Sequence, residues 1–304
     1  MSAYKPDLSL PTFYLGTHRP NWLWDGSMPF PLMASDRTLR EVVNLRPATA
    51  PEWSLDSGGF TELSSYGRWT VSPREYVERV ARYDREIGGL AWAAPQDWMC
   101  EPAIISGGRV STTVTAPGTG LSVAGHQRRT VANYLELTAL WGQYSDTESP
   151  FIPVLQGYKA ADYEACHALY GAAGVDLGAV PLVGVGSVCR RQAETEIRDI
   201  VSVVAAMPLV SHWFGMKLTG IRLAGVRTGE IWENGELTEN GPASLDSLAW
   251  SYEARRSARL SDCTHRAQKC SGCRVWATAW RDKAIKALRD AATAPVQDML
   301  PFAA

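Results

Sequence analysis

The chain has 304 residues, 45% hydrophobic and 20% charged, which is ordinary for a soluble globular protein with one large core or two modest ones. No apolar run approaches the ~20 residues of a transmembrane helix, and the first residues lack the apolar core of a signal peptide. We therefore expect no membrane contact and a cytoplasmic location, which is the host cytoplasm if the protein is viral. The net charge of −2 gives no overall argument for binding nucleic acid.

Short apolar runs alternate with helical patterns along most of the chain. Strands are predicted over residues 13–16, 53–56, 90–94, 151–155, 182–185, 213–217 and 243–245. Helices are predicted over residues 36–45, 73–87, 127–141, 161–173 and 191–207, and Ser72 is the expected N-cap of the second. Alternating strands and helices indicate a parallel sheet. The absence of an early glycine-rich phosphate loop favours a (β/α)8 barrel, within the α/β class, over a doubly wound sheet.

Two stretches interrupt this rhythm. Residues 103–125 are rich in Gly, Ser and Thr, and they are either a mobile loop over a site or a passive surface excursion. Residues 226–241 contain Glu-Asn-Gly twice, which predicts a turn or a small hairpin.

Positive charge is concentrated near the C-terminus. Residues 251–290 hold ten Lys or Arg and four acidic residues, so this stretch carries +6 while the rest of the chain carries −8. A basic face of this kind is typical of phosphate binding, and a solvated helix face explains the same charges equally well. We expect residues 1–250 to form the barrel and residues 251–304 to form a zinc-binding and basic helical segment packed on it.

An eleven-residue segment of this basic stretch contains four metal-ligating side chains: Cys263, His265, Cys270 and Cys273. Four such ligands at this spacing predict a closed, tetrahedral zinc site with a structural role. Reduced cysteines without a metal are the alternative. The other cysteines lack the spacing, and in a cytoplasmic protein we expect them to be buried thiols rather than disulfides: Cys100, Cys166 and Cys189.

Polar residues directly follow the predicted strands, where the chemistry of a (β/α)8 barrel is found. They are Asp56-Ser57-Gly58-Gly59, Gln96-Asp97, Gln156-Gly157, Gly184 to Gly186, and Asp246. Taken singly, Asp56 could cap the amides of a tight turn, and Asp246 could be the N-cap of a helix over residues 247–255. Their repetition at strand ends favours one shared site.

The order of these motifs resembles the queuine/guanine tRNA-ribosyltransferase superfamily over about residues 13–290. It runs from Asp-Ser-Gly-Gly-Phe through an Asp, a Gln-Gly and a Gly-x-Gly to a strand-borne Asp and a cysteine-rich segment. Residues 14–23 and 244–251 are most similar to the DNA-modifying branch, the DpdA-like deazaguanine DNA transglycosylases. The zinc spacing differs from that of the tRNA enzymes, in which the histidine is the last ligand and lies far downstream.

The resemblance implies a zinc-containing barrel that exchanges guanine in a polynucleotide for a 7-deazaguanine such as preQ0. It implies that Asp246 is the nucleophile that attacks the sugar C1′ and that Asp56 is the general base. The residues expected to bind the substrate are Ser57, Gly58, Asp97, Gln156, Gly184 and Gly186. The residues considered for stacking on the base are Tyr66, Trp98 and Met216. His212 is better explained as a core histidine than as a substrate contact. Arg190 and Arg191 either contact a phosphate of the target strand or belong to a surface helix.

Several functions stay open at this point. Guanine exchange in DNA would involve DNA, a free 7-deazaguanine base and accessory DNA-modification proteins as partners. A tRNA-guanine transglycosylase is the first alternative, and the altered zinc spacing argues against it. A non-catalytic nucleic-acid-binding barrel is the second, although it predicts the loss of one aspartate and both are present. An unrelated barrel glycosidase would also use two carboxylates but would not need a basic zinc segment.

Overall fold

The computed structural model describes residues 10–111, 113–188, 194–224, 231–233, 236–238 and 241–293. Three residues singled out in the sequence lie outside this part of the chain: Cys189, Arg190 and Arg191. Parts of the predicted hairpin at 226–241 and the end of the predicted C-terminal segment at 294–304 also lie outside it.

The described strands, in chain order, are β1 (Thr12–Thr17), β2 (Leu32–Ser35), β3 (Trp53–Asp56), β4 (Leu90–Ala93), β5 (Gly108–Arg109), β6 (Thr115–Ala116), β7 (Val154–Leu155), β8 (Val183–Val185), β9 (Ser211–Trp213), β10 (Ile231–Glu233), β11 (Glu236–Thr238) and β12 (Ser244–Ser247). The described helices are α1 (Asp36–Leu39), α2 (Gly59–Tyr66), α3 (Pro73–Ile87), α4 (Pro102–Ser106), α5 (Val123–Trp141), α6 (Ala160–Ala172), α7 (Glu194–Ala205), α8 (Leu218–Ala224), α9 (Ala249–Arg256) and α10 (Arg274–Thr293), with a 3-10 turn at Pro20–Leu23.

Eight parallel strands form one sheet in the order β4-β3-β2-β1-β12-β9-β8-β7. The sheet closes where β4 pairs with residues 150–152, just before β7: Ala93 N donates to Pro150 O at 2.8 Å and Ile152 N donates to Ala93 O at 3.1 Å. Helices follow the strands along the chain and cover the outside of the sheet. The predicted (β/α)8 barrel is therefore confirmed.

Side chains alternate between the two faces of the barrel wall. On β1, Phe13 and Leu15 belong to the large core between the sheet and the helices, whereas Tyr14 packs inside the barrel against Trp92. The parallel register pairs Tyr14 with Asp246. Because side chains of paired residues point to the same face, Asp246 also points into the barrel. Inward-facing residues at the carboxyl ends of the strands consequently share one space.

Most predicted elements are present, and the differences have local causes. The helix predicted at 73–87 is α3, and Ser72 Oγ accepts a hydrogen bond from Glu75 N at 3.2 Å as an N-cap. The helix predicted at 36–45 ends after one turn, which leaves Val43 82% exposed. Strand β2 was missed because its four residues follow two prolines and resemble a loop; its hydrogen bonds to strands on both sides define it.

The glycine-rich stretch 103–125 is partly ordered secondary structure. It contains most of α4 and the antiparallel pair β5–β6, and it packs on α2 through a small core that includes Leu63, Trp98 and Ile104. Of the predicted hairpin at 226–241, the described part is the antiparallel pair β10–β11. Asp246 is not a helix N-cap, because it lies within β12 and the N-cap position of α9 is Leu248.

The C-terminal helix α10 packs against α8, α9 and β1. The rings of Phe13 and Trp280 lie 6.3 Å apart, so the middle of α10 lies beside the start of β1. The division of the chain near residue 250 stays a prediction, since α9 crosses that position. Within the described ranges, no helix has both the length and the hydropathy required to span a bilayer.

Candidate active site

A cavity of about 250 Å³ opens at the carboxyl ends of the barrel strands. Residues from or just after each of the eight strands line it, which is where a (β/α)8 barrel places its chemistry. The polar lining residues are Thr17, Ser35, Asp56, Asp97, Gln156, Ser187 and Asp246. The apolar lining includes Met33, Phe60, Met99, Phe214 and Leu248. Three carboxylates thus face one small, largely apolar space.

Asp246 is 7% exposed and is held through one of its two oxygens. Oδ1 accepts a hydrogen bond from Gly215 N at 2.8 Å and lies 3.4 Å from Nε2 of His212. No described residue hydrogen-bonds to Oδ2. The carboxylate is therefore oriented with one oxygen fixed by the protein and the other left for a ligand.

His212 is fully buried beneath the cavity, with its ring centroid 4.4 Å from that of Trp92 and 4.7 Å from that of Phe214. Burial lowers the pKa of His212, and the contact with Asp246 opposes this effect. Nδ1 lies 2.8 Å from Ser244 Oγ. A neutral ring that accepts from this hydroxyl carries its proton on Nε2, directed at Asp246. The expectation of a core histidine holds, with the addition that this histidine orients a site carboxylate.

Asp56 lies at the end of β3, half-buried at the cavity wall. Burial raises its pKa to about 6, and the negative charge of Asp246 acts in the same direction. Hydrogen bonds from the Ser35 side chain and the Gly58 backbone partly offset the increase. A carboxyl with this pKa can accept and return a proton near neutral pH.

Asp97 and Gln156 form a direct pair on another side of the cavity. Gln156 Nε2 donates to Asp97 Oδ2 in a short contact. Burial raises the pKa of Asp97 to about 7; the charge of Asp56 contributes, and the hydrogen bond from Gln156 opposes the shift. The pair presents a carboxylate and an amide edge to the cavity, which matches the donors and acceptor of a purine edge.

The other predicted substrate-binding residues differ in position. Gly186 lines the cavity, whereas Ser57, Gly58 and Gly184 are not among its lining residues. Gly58 has φ +80 at the start of α2, where a Cβ would lie 2.6 Å from Arg37 Cγ. A Cβ on Gly184 would lie 2.5 Å from the Phe214 ring. These two glycines shape the backbone around the cavity and do not line it.

The aromatic residues at the cavity are not those considered from the sequence. Tyr66 is 51% exposed at the end of α2, Trp98 packs in the small core beside α2, and Met216 is buried in the main core. Phe60 and Phe214 line the cavity instead. Phe60 directly follows Asp-Ser-Gly-Gly, and Phe214 is two residues beyond the inward-facing His212, so alternation along β9 was a signal for it.

The metal-ligating side chains converge as the spacing predicted. The ligand atoms of Cys263, His265, Cys270 and Cys273 all lie within 4.8 Å of one another. Cys263 Sγ is 3.5 Å from Cys270 Sγ and 3.4 Å from Cys273 Sγ. Zinc–sulfur bonds of ~2.3 Å in a tetrahedron place sulfurs ~3.7 Å apart, so this group can hold a zinc ion.

The loop that carries these ligands, residues 257–273 and here called the zinc loop, contacts the barrel at the carboxyl ends of the strands. Ser251 Oγ at the start of α9 donates to Ser271 O at 3.0 Å. The Arg19 guanidinium, just beyond β1, occupies the space beside Gly272, where a Cβ would lie 2.5 Å from it. The loop is consequently attached near the rim of the cavity.

The comparison with protein families agrees with this architecture. A family model described as DpdA, deoxypurine in DNA protein A, matches residues 10–300. The chain belongs to the DpdA family. Comparison with curated proteins gives no significant match. Membership confirms the resemblance seen in the sequence and supports a transglycosylase-type enzyme with a function related to deazaguanine modification of DNA.

The cations of this DpdA family member are unevenly placed relative to the cavity. The exposed residues Lys283, Lys286 and Arg289 follow Trp280 on α10, ~14 to 22 Å along the helix from its start beside the zinc loop. Lys286 also pairs with Asp290 at 2.6 Å. The second half of α10 therefore extends away from the cavity. Arg19 and Arg255 lie at the junction of β1 with the zinc loop, and Arg266 and Lys269 belong to that loop; all four are exposed.

Proposed function

We propose that this protein exchanges guanine in DNA for a 7-deazaguanine such as preQ0, as a pentosyltransferase that retains the phosphodiester backbone. One observation carries the proposal: Asp56, Asp97 and Asp246 line a single cavity, and Asp246 has one oxygen fixed and the other unengaged. Membership in the DpdA family supports DNA as the substrate. The covalent step and the roles of the individual residues belong to the proposal.

In the first half of the reaction, Asp246 Oδ2 attacks C1′ of the target deoxyribose. The C1′–N9 bond breaks, its electron pair remains on the departing guanine, and an ester bond joins Oδ2 to C1′. Gly215 N and His212 Nε2 keep Oδ1 in place during the attack. A carboxylate suits this step because the transition state has oxocarbenium character that a negative charge stabilises before the bond forms.

Asp56 is proposed to move the proton. Its pKa of about 6 allows it to protonate the leaving guanine and to be ionised when the replacement base arrives. The incoming 7-deazaguanine gives its N9 proton to Asp56, attacks C1′ and releases Asp246. The second half-reaction reverses the changes made in the first, so the complete cycle returns Asp246 to a free carboxylate and Asp56 to its protonated form, and no other reactant is needed.

The remaining cavity residues are proposed to select the base. Asp97 would accept from the N1–H and N2–H donors of guanine, and Gln156 would donate to O6; their shared position at the cavity wall supports these roles. Phe60 and Phe214 offer apolar ring surfaces to a base that has lost its stacking neighbours. Such a base must leave the duplex, which is why accessory proteins that open DNA remain part of the proposal.

The zinc loop is proposed to have a structural role. Cys263, His265, Cys270 and Cys273 would hold Zn²⁺, which would supply folding energy to the loop and no chemistry in the cavity. Arg19, Arg255, Arg266 and Lys269 are then displayed near the rim, where the phosphates of a bound strand would pass.

The test is mass spectrometry of nucleosides from cells that express the protein and are supplied with preQ0. DNA and tRNA are digested separately, and an Asp246→Asn variant of equal shape is the control. A 7-deazaguanine deoxynucleoside in DNA that is absent from the control is the expected result. Modification in tRNA alone would establish the tRNA activity instead, and equal modification by the Asn variant would refute the nucleophile assignment.

A further inference from the structure

A chain of buried hydrogen bonds lies behind the cavity wall. Gln156 is fully buried; its Nε2 donates to Asp97 Oδ2, and its Oε1 lies 2.6 Å from Ser187 Oγ. Ser187 is 5% exposed, accepts from Cys100 N at 2.8 Å, and has Glu101 Oε2 within 3.0 Å. Ser187, which also lines the cavity, therefore contacts the oxygen end of the Gln156 amide, opposite the Asp97 contact.

The backbone at Ser187 is unusual. Its φ is +57, and it is the one non-glycine residue with positive φ in the described part of the chain. Side chains other than glycine rarely adopt this conformation, and it persists where the surroundings demand it. The preceding Gly186 lies so close to Gln156 that a Cβ there would be 2.2 Å from Nε2. The turn at Gly186 and Ser187 thus packs around the Gln156 amide: Gly186 lies beside the amide nitrogen, and the Ser187 hydroxyl lies beside the amide oxygen.

The two ends of an amide have nearly the same shape, so its partners decide which way it points. Above its pKa of about 7, Asp97 is mostly ionised and can only accept hydrogen bonds, so it requires Nε2. Oε1 then needs a donor. The Ser187 hydroxyl has one proton and two acceptors in reach, and we assign the proton to Gln156 Oε1 because that contact, at 2.6 Å, is shorter than the 3.0 Å contact with Glu101 Oε2. A reversed amide would place its carbonyl oxygen against the Asp97 carboxylate.

We propose that Ser187 is a positioning residue that fixes the orientation of the Gln156 amide and thereby sets the preference of the cavity for guanine over adenine. This inference rests on the proposed function. The fixed orientation leaves the second N–H of Gln156 for the O6 acceptor of guanine. Adenine carries an amino donor at that position, so the same amide and Asp97 oppose it.

The experiment measures the binding of radiolabelled guanine and adenine to the full-length protein by equilibrium dialysis. The proteins are the wild type, Ser187→Gly, Gln156→Ala and the double variant. Glycine removes the hydroxyl and tolerates the positive φ, so the fold is expected to remain. Ser187→Gly should weaken guanine binding about tenfold with little change for adenine. The double variant should bind guanine no more weakly than Gln156→Ala, because Ser187 acts through Gln156.

Ser187→Ala is the second variant, and it should lose the same selectivity as Ser187→Gly if the hydroxyl is the cause. A wild-type guanine-to-adenine ratio in both folded variants would overturn the inference while leaving the proposed function intact. The inference would also be overturned if the double variant lost guanine affinity by the product of the losses in Ser187→Gly and Gln156→Ala. Ser187 would then contact the base independently of Gln156. A wild-type protein that binds neither base would refute the proposed function and this inference together.

Discussion

Replacing Asp56 with Asn is predicted to stabilise the protein at neutral and alkaline pH while abolishing base exchange. The substitution keeps the shape of the side chain and removes its charge. Burial and the charge of Asp246 disfavour the ionised carboxyl, which is why its pKa is raised. Function and stability therefore make opposite demands on this residue.

The pKa gives the magnitude and the sign. A rise from 3.8 to about 6 makes the folded protein roughly 3 kcal/mol less stable above pH 6 than it would be with an unperturbed carboxyl. Because the folded pKa is the higher one, this cost appears as pH rises from 3.8 through 6 and disappears below 3.8. The free energy of unfolding of the Asn variant is thus expected to exceed that of the wild type by about 3 kcal/mol at pH 8 and by about 1.5 kcal/mol at pH 5.

Urea unfolding of both proteins at pH 8 and pH 5 measures this difference. Contributions from all other groups are shared by the two proteins and cancel in the comparison. Asp146→Asn, at an exposed carboxyl, is the matched control and should leave stability nearly unchanged at both pH values. The argument from burial would be refuted if Asp56→Asn raised the free energy of unfolding equally at both pH values, or if the variant were less stable than the wild type at pH 8.

Three further predictions concern other parts of the site. His212→Asn should slow formation of the covalent intermediate about tenfold or more, because Asp246 loses a hydrogen bond to a charged oxygen; single-turnover kinetics measure this. Chelation or Cys270→Ser should lower the thermal midpoint and release zinc, as seen by calorimetry and elemental analysis. Charge reversal at Arg266 and Lys269 should weaken DNA binding and reduce the dependence of affinity on salt by about one to two counterions, measured by titration at several salt concentrations.

Each of these predictions has its own control. In the His212→Asn variant, an unchanged affinity for free base would place the defect in the chemical step; an unchanged rate would show that Gly215 alone orients the nucleophile. If chelation and Cys270→Ser leave the thermal midpoint unchanged and the wild type contains no zinc, the metal assignment is wrong. Reversal of Lys283 and Lys286 is the matched control for the rim cations, and a larger effect there would locate the DNA on α10.

Local patterns in the sequence were sufficient for most of the strands and for the long helices of the barrel. Helix α3 was predicted from the spacing of Tyr76, Val80 and Tyr83 and from the N-cap Ser72, both of which are properties of adjacent turns. Strand β3 followed from an apolar run that ends in Asp56. In contrast, β2 is defined by hydrogen bonds to β1 and β3, and no local pattern encodes such pairing.

The composition of the cavity wall required the tertiary structure. Phe60, Phe214 and Ser187 come from three different strand ends, and only closure of the barrel brings them to the same cavity. The pKa of Asp56 near 6 likewise depends on burial and on Asp246, which is 190 positions away in the chain. Burial of a charge is a property of the whole environment, and spacing does not reveal it.

By itself, the sequence determined the alternation of strands and helices, the strand-end aspartates and the compact metal-ligating cluster, because each depends on residues that are close in the chain. The tertiary structure decided which of the polar and aromatic residues share the cavity, which oxygen of Asp246 is unengaged, and that the second half of α10 extends away from the site. These features depend on contacts between segments far apart in the chain, and the closure of the parallel sheet fixes those contacts.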